Sequence, residues 1–389
     1  MSPSLPDPVA LLGSLEQAGS RVVIVATGGG SPAIPHLLST PGASAVVLEC
    51  LVPYAREAID RLLGGPQETY CSSRAARRLA VMAWQRASGM GTPLEAAVGV
   101  AVTSSLRSRT PKRGPHRIVV AVQRLAATSV ATLVLTKDAR SRAEEELVAA
   151  ALLLQQLASA GGAGTPAGDL QLLPDERVEI ERCAAPPAWQ ELLAGARPAV
   201  HVSDDAPPQF GPVASAPAGL LVFPGSFDPL HEGHRRMAVI AQEIAERPIH
   251  HELSVVNVDK PALDYLEMAA RAAQFAGRSL WLTRAATFVE KLDIFPEGTF
   301  VLGADTYARL ADPRYYGGSA EATDRAVQRI ARGVRGLIVF GRERNGTFEE
   351  PLQIDVPQPL RDVTYFVSER EFRLDVSSTA LRRRSAADD

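Results

Sequence analysis

The chain has 389 residues, of which 46% are hydrophobic and 22% are charged, and its formal net charge is −3. A chain of this length exceeds what one hydrophobic core usually organises, so we expect two domains. The slightly acidic balance and the 5% aromatic content argue against a protein that binds nucleic acid.

The sequence predicts neither secretion nor membrane insertion. The N-terminus lacks the basic-then-apolar order of a signal peptide, and the longest apolar run, Leu147 to Leu154, is too short to span a bilayer. The three cysteines are far apart and form no C-x-x-C pair, as is typical of reduced thiols. We therefore expect a cytoplasmic protein that has no contact with a membrane.

In the first 160 residues, short β-branched runs alternate with helical segments. This pattern predicts buried strands and an α/β layer domain. One helix is expected over 72–87, and another opens at Ser141, where Glu144 can complete a capping box. The predicted strands are 21–26, 45–49, 96–102, 117–122 and 131–135.

Two stretches rich in small residues and proline, 158–169 and 204–219, interrupt this periodic pattern. Between them we expect one strand and one short helix, which would close the first domain. These features predict a first domain over 8–200, a linker over 201–218 and a second domain over 219–386.

The second domain again alternates strand and helix. Such spacing implies right-handed βαβ units and a parallel sheet, in which ligands bind at the carboxyl ends of the strands. The predicted strands are 219–223, 253–256, 279–283, 299–304, 336–341 and 363–368.

A stretch that contains two histidines, "VFPGSFDPLHEGHRRM" (222–237), lies at one such strand end. His231 and His234 could form a metal pair, belong to an ordinary helix start or hold phosphate. A metal site would need further Cys or His ligands nearby, and only His250 and His251, about one helix away, are available. We therefore predict no metal site formed by the protein. A glycine turn before a helix N-terminus presents free amides and a favourable dipole to an anion, which favours phosphate binding.

Three motifs of this region resemble those of the HIGH-type nucleotidyltransferases, in particular nicotinamide and nicotinate mononucleotide adenylyltransferases. "GSFDPLHEGH" is similar to the signature G-x-F-D-P-x-H-x-G-H, "FVLGAD" (300–305) to a strand-end Gly-Ala-Asp, and "VSSTALR" (376–382) to a C-terminal I-S-S-T-x-I-R segment. The resemblance covers about the last 170 residues. It implies a Rossmann-like fold and transfer of a nucleotidyl group from a nucleoside triphosphate to a phosphate monoester.

The resemblance also implies roles for individual residues. His231, His234 and Arg382 would act on the reacting phosphates, and Asp228 would shape the turn rather than bind metal. Lys260, Tyr315 and Tyr316 are weaker substrate-binding candidates, because this chain lacks the tryptophan and the Pro-Pro-His-Lys-like loop of the nicotinate-specific members. The nucleotide-binding set would be Gly225, Ser226, Phe227, Gly303, Asp305, Ser377, Ser378 and Thr379.

The substrates follow from the same resemblance. ATP would be the donor, a small phosphorylated acceptor the partner, and Mg²⁺ would enter bound to the triphosphate. A homo-oligomer would be compatible with the sequence. Alternative interpretations are a different acceptor, CTP as donor, or a protein that binds nucleotides without turning them over.

The first half of the chain has a resemblance of its own. "TGGGSPAIPHLLSTPGASAVVLECLVPYAREAIDRLLG" is similar to the CinA C-terminal domain, whose enzymatic members deamidate nicotinamide mononucleotide. That family carries Glu-Ser-Cys-Thr-Gly-Gly with serine as nucleophile, whereas Val25 stands at the serine position here. We therefore expect a degenerate domain, with Ser31, Ser104 and Ser105 as substitute nucleophiles to consider. A basic cluster could bind a phosphorylated ligand: Arg107, Arg109, Lys112, Arg113 and Arg117.

Overall fold

A computed structural model describes residues 3–161, 168–202, 216–344 and 347–372. The chain divides into two compact units. The first comprises Met1–Pro186 and Asp259–Met268, and the second comprises Pro187–Val258 and Ala269–Asp389. Each unit is an α/β layer structure, which confirms the predicted fold class. Within the described ranges, no helix is long and apolar enough to cross a membrane.

The first unit is built on a six-stranded mixed sheet in the order β2-β1-β3-β4-β5-β6. β1 lies between β2 and β3 and pairs in parallel with both, and the strands from β3 to β6 pair antiparallel. All five strands predicted for this region are present. Their bounds are β1 (Arg21–Thr27), β2 (Val47–Leu51), β3 (Ala97–Ser105), β4 (His116–Gln123), β5 (Ala127–Leu135) and β6 (Val178–Ala184).

Five helices accompany this sheet. The last begins with the predicted capping box: Ser141 Oγ accepts from the Glu144 amide, and the Glu144 carboxylate accepts from the Ser141 amide at 2.7 Å. Its apolar face, including Val148, Leu152 and Leu157, is fully buried in the core. The helices are α1 (Pro8–Gln17), α2 (Ala33–Leu38), α3 (Arg56–Leu63), α4 (Ser73–Gly89) and α5 (Arg142–Ala160).

A short segment from the second half of the sequence, 259–268, also belongs to the first unit. Tyr265 in this segment is fully buried; its hydroxyl donates to the Leu125 carbonyl at 2.6 Å, and its amide donates to Thr128 Oγ1 at 3.0 Å. Asp264 forms an ion pair with Arg77 at 2.7 Å. The sequence pattern does not reveal this placement, because local periodicity does not show on which sheet a loop packs.

The boundary between the units differs from the expected linker. β6 pairs with β5 and completes the first sheet, as the sequence predicts. The short helix α6 (Pro187–Ala194) and the strand β7 (Ala199–Val202), however, lie in the second unit. The reason is that β7 pairs antiparallel along the edge of the second sheet.

That second sheet has seven strands in the order β15-β12-β11-β8-β9-β10-β7, all parallel except β7. All six strands predicted here are present. β9 begins several residues earlier than expected, because two histidines near its start interrupt the apolar pattern on which the prediction rests. The chain also forms a hairpin that the sequence does not predict. The bounds are β8 (Leu221–Pro224), β9 (Ile249–Ser254), β10 (Leu280–Thr283), β11 (Thr299–Gly303), β12 (Gly336–Phe340), β15 (Thr364–Val367) and the hairpin β13 (Arg342–Arg344) and β14 (Thr347–Glu349).

Helices follow most of these strands, as βαβ units require. They cover a core that includes Phe295, Phe300 and Ile330, all nearly inaccessible to solvent. The helices are α7 (Glu232–Ala245), α8 (Tyr265–Ala273), α9 (Phe288–Ile294), α10 (Ala304–Arg309), α11 (Ala320–Gly333) and α12 (Gln358–Asp362).

A buried ion pair closes the first unit near the start of α5. Glu176 accepts two hydrogen bonds from the Arg140 guanidinium, at 2.6 and 2.7 Å, and others from the amides of Thr136 and Leu173. Burial raises the pKa of the Glu176 carboxyl, but the hydrogen bonds from Arg140 and the two amides outweigh it and lower the pKa to about 2.

We predict that Glu176→Gln destabilises the first unit by about 2 kcal/mol at pH 7. The folded-state pKa lies below the ordinary value of 4.5, so the carboxylate stabilises the fold above pH 4.5 and loses this effect as the pH falls towards 2. Urea unfolding at pH 7 and at pH 3 measures the effect. An equal loss of unfolding free energy at pH 3 and at pH 7 would contradict this prediction.

Candidate functional site

The candidate site lies where the strand order of the second sheet reverses direction. From β8 the chain proceeds outward through β9 and β10 on one side, and then returns to build β11, β12 and β15 on the other. Parallel sheets bind ligands in the crevice at the carboxyl ends of the two strands that flank such a point, here β8 and β11. The histidine loop, 225–231, follows β8 directly and leads into α7.

This loop is tightly packed around Phe227. Phe227 adopts a left-handed backbone conformation with φ of 45°, and its side chain is fully buried. Its ring meets the rings of His234, His251 and Phe275 edge-on, with centroids 5.0 to 5.6 Å apart. A Cβ atom at Gly225 would lie only 2.6 Å from the Phe227 ring, so that position requires glycine.

Two side chains of the α8 region, which the sequence analysis missed, hold the loop in place. The Arg271 guanidinium donates to the Ser226 carbonyl at 2.9 Å. The Gln274 amide donates to the Phe227 carbonyl at 3.1 Å and accepts from the Leu230 amide at 2.7 Å. No local sequence signal could identify these residues, because more than 40 positions separate them from the loop.

The structure brings the two predicted histidines into direct contact. The rings of His231 and His234 are stacked, with centroids 3.7 Å apart and an angle of 21° between their planes. The His231 amide donates to Nδ1 of His234 at 3.3 Å. Because Nδ1 of a neutral His234 accepts this bond, its ring proton resides on Nε2, which is then the hydrogen-bond donor.

Burial controls the charge of these histidines. It lowers the pKa of His234 to about 3, with a further contribution from the nearby His231 and His251. Burial and the charge of Arg235 also lower the pKa of His231. Nδ1 of His231 is buried and has no hydrogen-bond partner among the described residues. At neutral pH the pair therefore presents uncharged N–H donors at the first turn of a 14-residue helix.

Across the crevice, Gly303 and Asp305 occupy the carboxyl end of β11, as predicted from "FVLGAD". Gly303 precedes α10, and a Cβ there would meet nothing within 4 Å. The Asp305 carboxylate forms a close ion pair with Arg342, which follows the neighbouring strand β12. Arg342 was not among the predicted site residues. It adds a cation to the same edge of the sheet.

The remaining candidates are placed differently. Tyr316 lies in a 3₁₀ turn with Tyr315; its hydroxyl donates to the Leu310 carbonyl at 2.9 Å, and burial raises its pKa to about 12. Lys260 is exposed and belongs to the segment 259–268 of the first unit. The predicted site residues Ser377, Ser378, Thr379 and Arg382 lie outside the described residues.

A buried ion pair between Lys291 and Glu252 supports the histidine loop. The Lys291 ammonium lies 2.7 and 2.8 Å from the two carboxylate oxygens of Glu252, to which Thr283 also donates. The Glu252 carbonyl accepts from the Gly225 amide at 3.0 Å. The pair thus fixes the carboxyl end of β9 and, through it, the first residue of the loop.

The metal prediction can be compared with the side chains present. Among the described residues, no group of three or more His, Cys, Asp or Glu side chains could hold a metal ion. Asp228, the carboxylate of the loop, lies 3.4 Å from Arg271 and pairs with it.

In the first unit, the position of the expected nucleophile lies inside the sheet. Val25 is fully buried in β1. The glycine turn that follows is filled by the chain itself, because a Cβ at Gly29 would lie 2.5 Å from the Leu106 side chain. Ser104 has a buried hydroxyl without a partner among the described residues, and Lys112 donates to Ser105 Oγ at 3.4 Å.

The predicted basic cluster is only partly assembled. An open pocket of about 900 Å³ at the start of α5 is lined by Arg107 and Arg109, together with Arg140 and Arg142. Arg140 and Arg142 are engaged in ion pairs with Glu176 and Glu146. The residues Lys112, Arg113 and Arg117 are not among those that line it.

Comparison with known families matches each half of the chain separately. The family model of the CinA C-terminal domain matches residues 11–158, and the model described as cytidylyltransferase-like matches residues 222–384. Both resemblances predicted from the motifs are thereby confirmed. The second match makes the C-terminal half a nucleotidyltransferase domain.

Similar solved structures cover the first half. The competence or damage-inducible protein from Enterobacter asburiae is 17% identical, over 40% of this chain and 95% of that one, with a TM-score of 0.35. The competence/damage inducible protein CihA from Agrobacterium tumefaciens is 21% identical, over 42% of this chain and 100% of that one, with a TM-score of 0.34. Comparison with curated protein sequences gives no match.

We predict that His234 stays neutral well below the ordinary histidine pKa of 6.5. The folded-state pKa is depressed, so below pH 6.5 the His234 imidazole binds a proton in the unfolded chain but not in the folded protein. The stability contributed by the buried ring is present above pH 6.5 and is lost as the pH falls towards 3. Imidazole NMR of the folded protein and of the urea-unfolded chain measures both values. A folded-state titration near 6.5 would disprove the burial argument.

Proposed function

We propose that the nucleotidyltransferase domain of this chain transfers AMP from ATP to the phosphate of nicotinamide or nicotinate mononucleotide and releases pyrophosphate. The observation that carries the proposal is the stacked pair of His231 and His234 at the start of α7, at the point where the strand order reverses. The N-terminus of α7 and the two neutral imidazole rings lie together there, and a helix N-terminus favours an anion.

The chemistry requires positioning and charge stabilisation rather than a covalent intermediate. An oxygen of the acceptor phosphate forms a bond to the α-phosphorus of ATP. The bond from that phosphorus to the oxygen bridging to the β-phosphate breaks, and pyrophosphate leaves with that oxygen. Because the acceptor is already an anion at neutral pH, no general base is needed.

Individual residues of the chain would have different roles in this transfer. His234, with its proton fixed on Nε2, would donate to an oxygen of the α-phosphate as charge develops there, and His231 would hold the neighbouring phosphate. Gly225 would allow the close packing of Phe227 that shapes the loop, Ser226 would lie beside the triphosphate, and Gly303 would leave open space for the nucleoside. Arg342 would supply positive charge across the crevice, held by Asp305.

Magnesium would arrive as part of the nucleotide. Mg²⁺ retains water and is commonly bound through substrate phosphates rather than by a protein cage. When bound, the ion would neutralise charge on the triphosphate oxygens. The histidines and amides would still have to orient the α-phosphate.

The choice of acceptor is supported by the other half of the chain. The CinA C-terminal domain matches residues 11–158, and the resemblance of this half implies a connection with nicotinamide mononucleotide. A domain that had lost its nucleophile could still bind such a metabolite. Tyr315 and Tyr316 are the aromatic residues near α10 that could pack against a pyridine ring, since the usual tryptophan is missing.

A second candidate is a cytidylyltransferase that uses CTP. The description of the matched family model as cytidylyltransferase-like favours this donor as the next to test. The same histidine pair would serve either base, because it contacts only phosphates. The two functions therefore differ in the nucleoside pocket and not in the reaction.

A pyrophosphate-release screen tests the proposal directly. The full chain is incubated with Mg-ATP or Mg-CTP and each of nicotinamide mononucleotide, nicotinate mononucleotide and a panel of other phosphate monoesters. We expect release with ATP and a pyridine mononucleotide. Release only with CTP or another acceptor would replace the proposed substrates, and nucleotide binding without release in any combination would indicate a sensor.

We predict that His234→Ala and His231→Ala each lower kcat by about 100-fold or more, because each removes one donor to the reacting phosphates. Pyrophosphate release under saturating substrates measures this loss. The matched control is His250→Ala, at the amino end of β9, where the ring bonds Ser279 Oγ at 2.6 Å. Equal losses in all three variants would show that the histidines act only through folding.

We also predict that the full chain releases no ammonia from nicotinamide mononucleotide, because Val25 is buried and has no nucleophilic atom. An enzymatic ammonia assay measures this, with an active CinA-family deamidase as positive control. Ammonia release that disappears in Ser105→Ala would instead identify Ser105 as a substitute nucleophile.

A further inference from the structure

We propose that Gln274, together with Arg271 one turn earlier, is a positioning residue that holds the histidine loop in its phosphate-binding shape. This inference rests on the proposed function, since it concerns the same site. Neither residue belongs to the motifs of the loop, and their hydrogen bonds to the loop reach its backbone and Asp228. Both residues contact the loop from the α8 region.

Gln274 closes the turn with both atoms of one amide group. Its Nε2 donates to the Phe227 carbonyl at 3.1 Å, and its Oε1 accepts from the Leu230 amide at 2.7 Å. The two backbone groups belong to opposite ends of the turn 227–230. A glutamine side chain is well suited to this position, because it carries a donor and an acceptor in one plane.

Arg271 secures the residues just before this turn. One guanidinium nitrogen donates to the Ser226 carbonyl at 2.9 Å, and another lies 3.4 Å from the Asp228 carboxylate. The side chain is nearly buried, with the residue 8% exposed. Removing it would leave the Ser226 carbonyl and the Asp228 carboxylate without these partners, which would loosen this part of the loop.

The loop requires such support because its central residue is conformationally unfavourable. Phe227 has a φ of 45°, a region that residues other than glycine, asparagine and aspartate seldom occupy. Its carbonyl is the group that Gln274 holds. If the turn relaxed, the Phe227 ring would leave its position 5.1 Å from the His234 ring, and the stacked histidines would lose their support.

The two anchors thus link α8 to the donors that meet phosphate. We expect Gln274→Ala to weaken binding of Mg-ATP by about tenfold, corresponding to the loss of two hydrogen bonds that fix a binding loop. The KM for the acceptor should change much less, since the change is confined to the triphosphate side. A general loss of folding would not produce this split between the two substrates.

The matched control is Gln242→Ala in α7. Gln242 also accepts a hydrogen bond from a backbone amide, that of Ile249 at 3.0 Å, but at the amino end of β9. The full-length wild type, Gln274→Ala, Gln242→Ala and Arg271→Ala are compared by calorimetric titration with Mg-ATP, by initial rates and by Tm. Imidazole NMR follows the titration of His234 in each protein.

Weaker ATP binding in Gln274→Ala, with a Tm close to that of Gln242→Ala and ATP binding intact in Gln242→Ala, supports the proposal. Unchanged ATP binding in Gln274→Ala, or equal weakening in both glutamine variants, overturns it. If the wild type binds no nucleotide, the proposed function fails, but NMR still tests whether Gln274 positions the histidine loop. His234 should then titrate at a higher pH in Gln274→Ala, and an unchanged titration overturns the positioning role.

Discussion

The candidate site depends on one constraint, the parallel pairing of β8 with β9 on one side and with β11 on the other. This pairing aligns the carboxyl ends of three strands at one edge of the sheet. The histidine loop after β8 and the Gly-Ala-Asp segment after β11 then face the same crevice, although more than 70 residues separate them in sequence.

Packing beneath the loop determines what the histidines can do. Phe227 fills the space under His234, and this burial keeps the ring neutral, with its proton on Nε2. A neutral N–H donor fixed in place costs little reorganisation when charge develops on a phosphate. The left-handed turn that places Phe227 there is unfavourable by itself, so its shape depends on partners outside the loop, Arg271 and Gln274.

The first unit contains the segment 11–158 that matches the CinA C-terminal domain, and Val25 stands where the sequence comparison expected a serine. The glycine turn after β1 is present, but Val25 is enclosed in the sheet and Leu106 packs against Gly29. Four arginines line a pocket beside the start of α5, and two of them are already engaged with carboxylates.

The sequence by itself determined the α/β class, most of the strands and the place of His231 and His234 at a helix start, because these depend on local periodicity and on short motifs. Local patterns could not assign β7 to the second sheet or the segment around Tyr265 to the first unit, since strand pairing and loop packing are long-range. Only the tertiary structure revealed Gln274 and Arg342. Their roles arise from hydrogen bonds and charges between elements that the chain brings together only after folding.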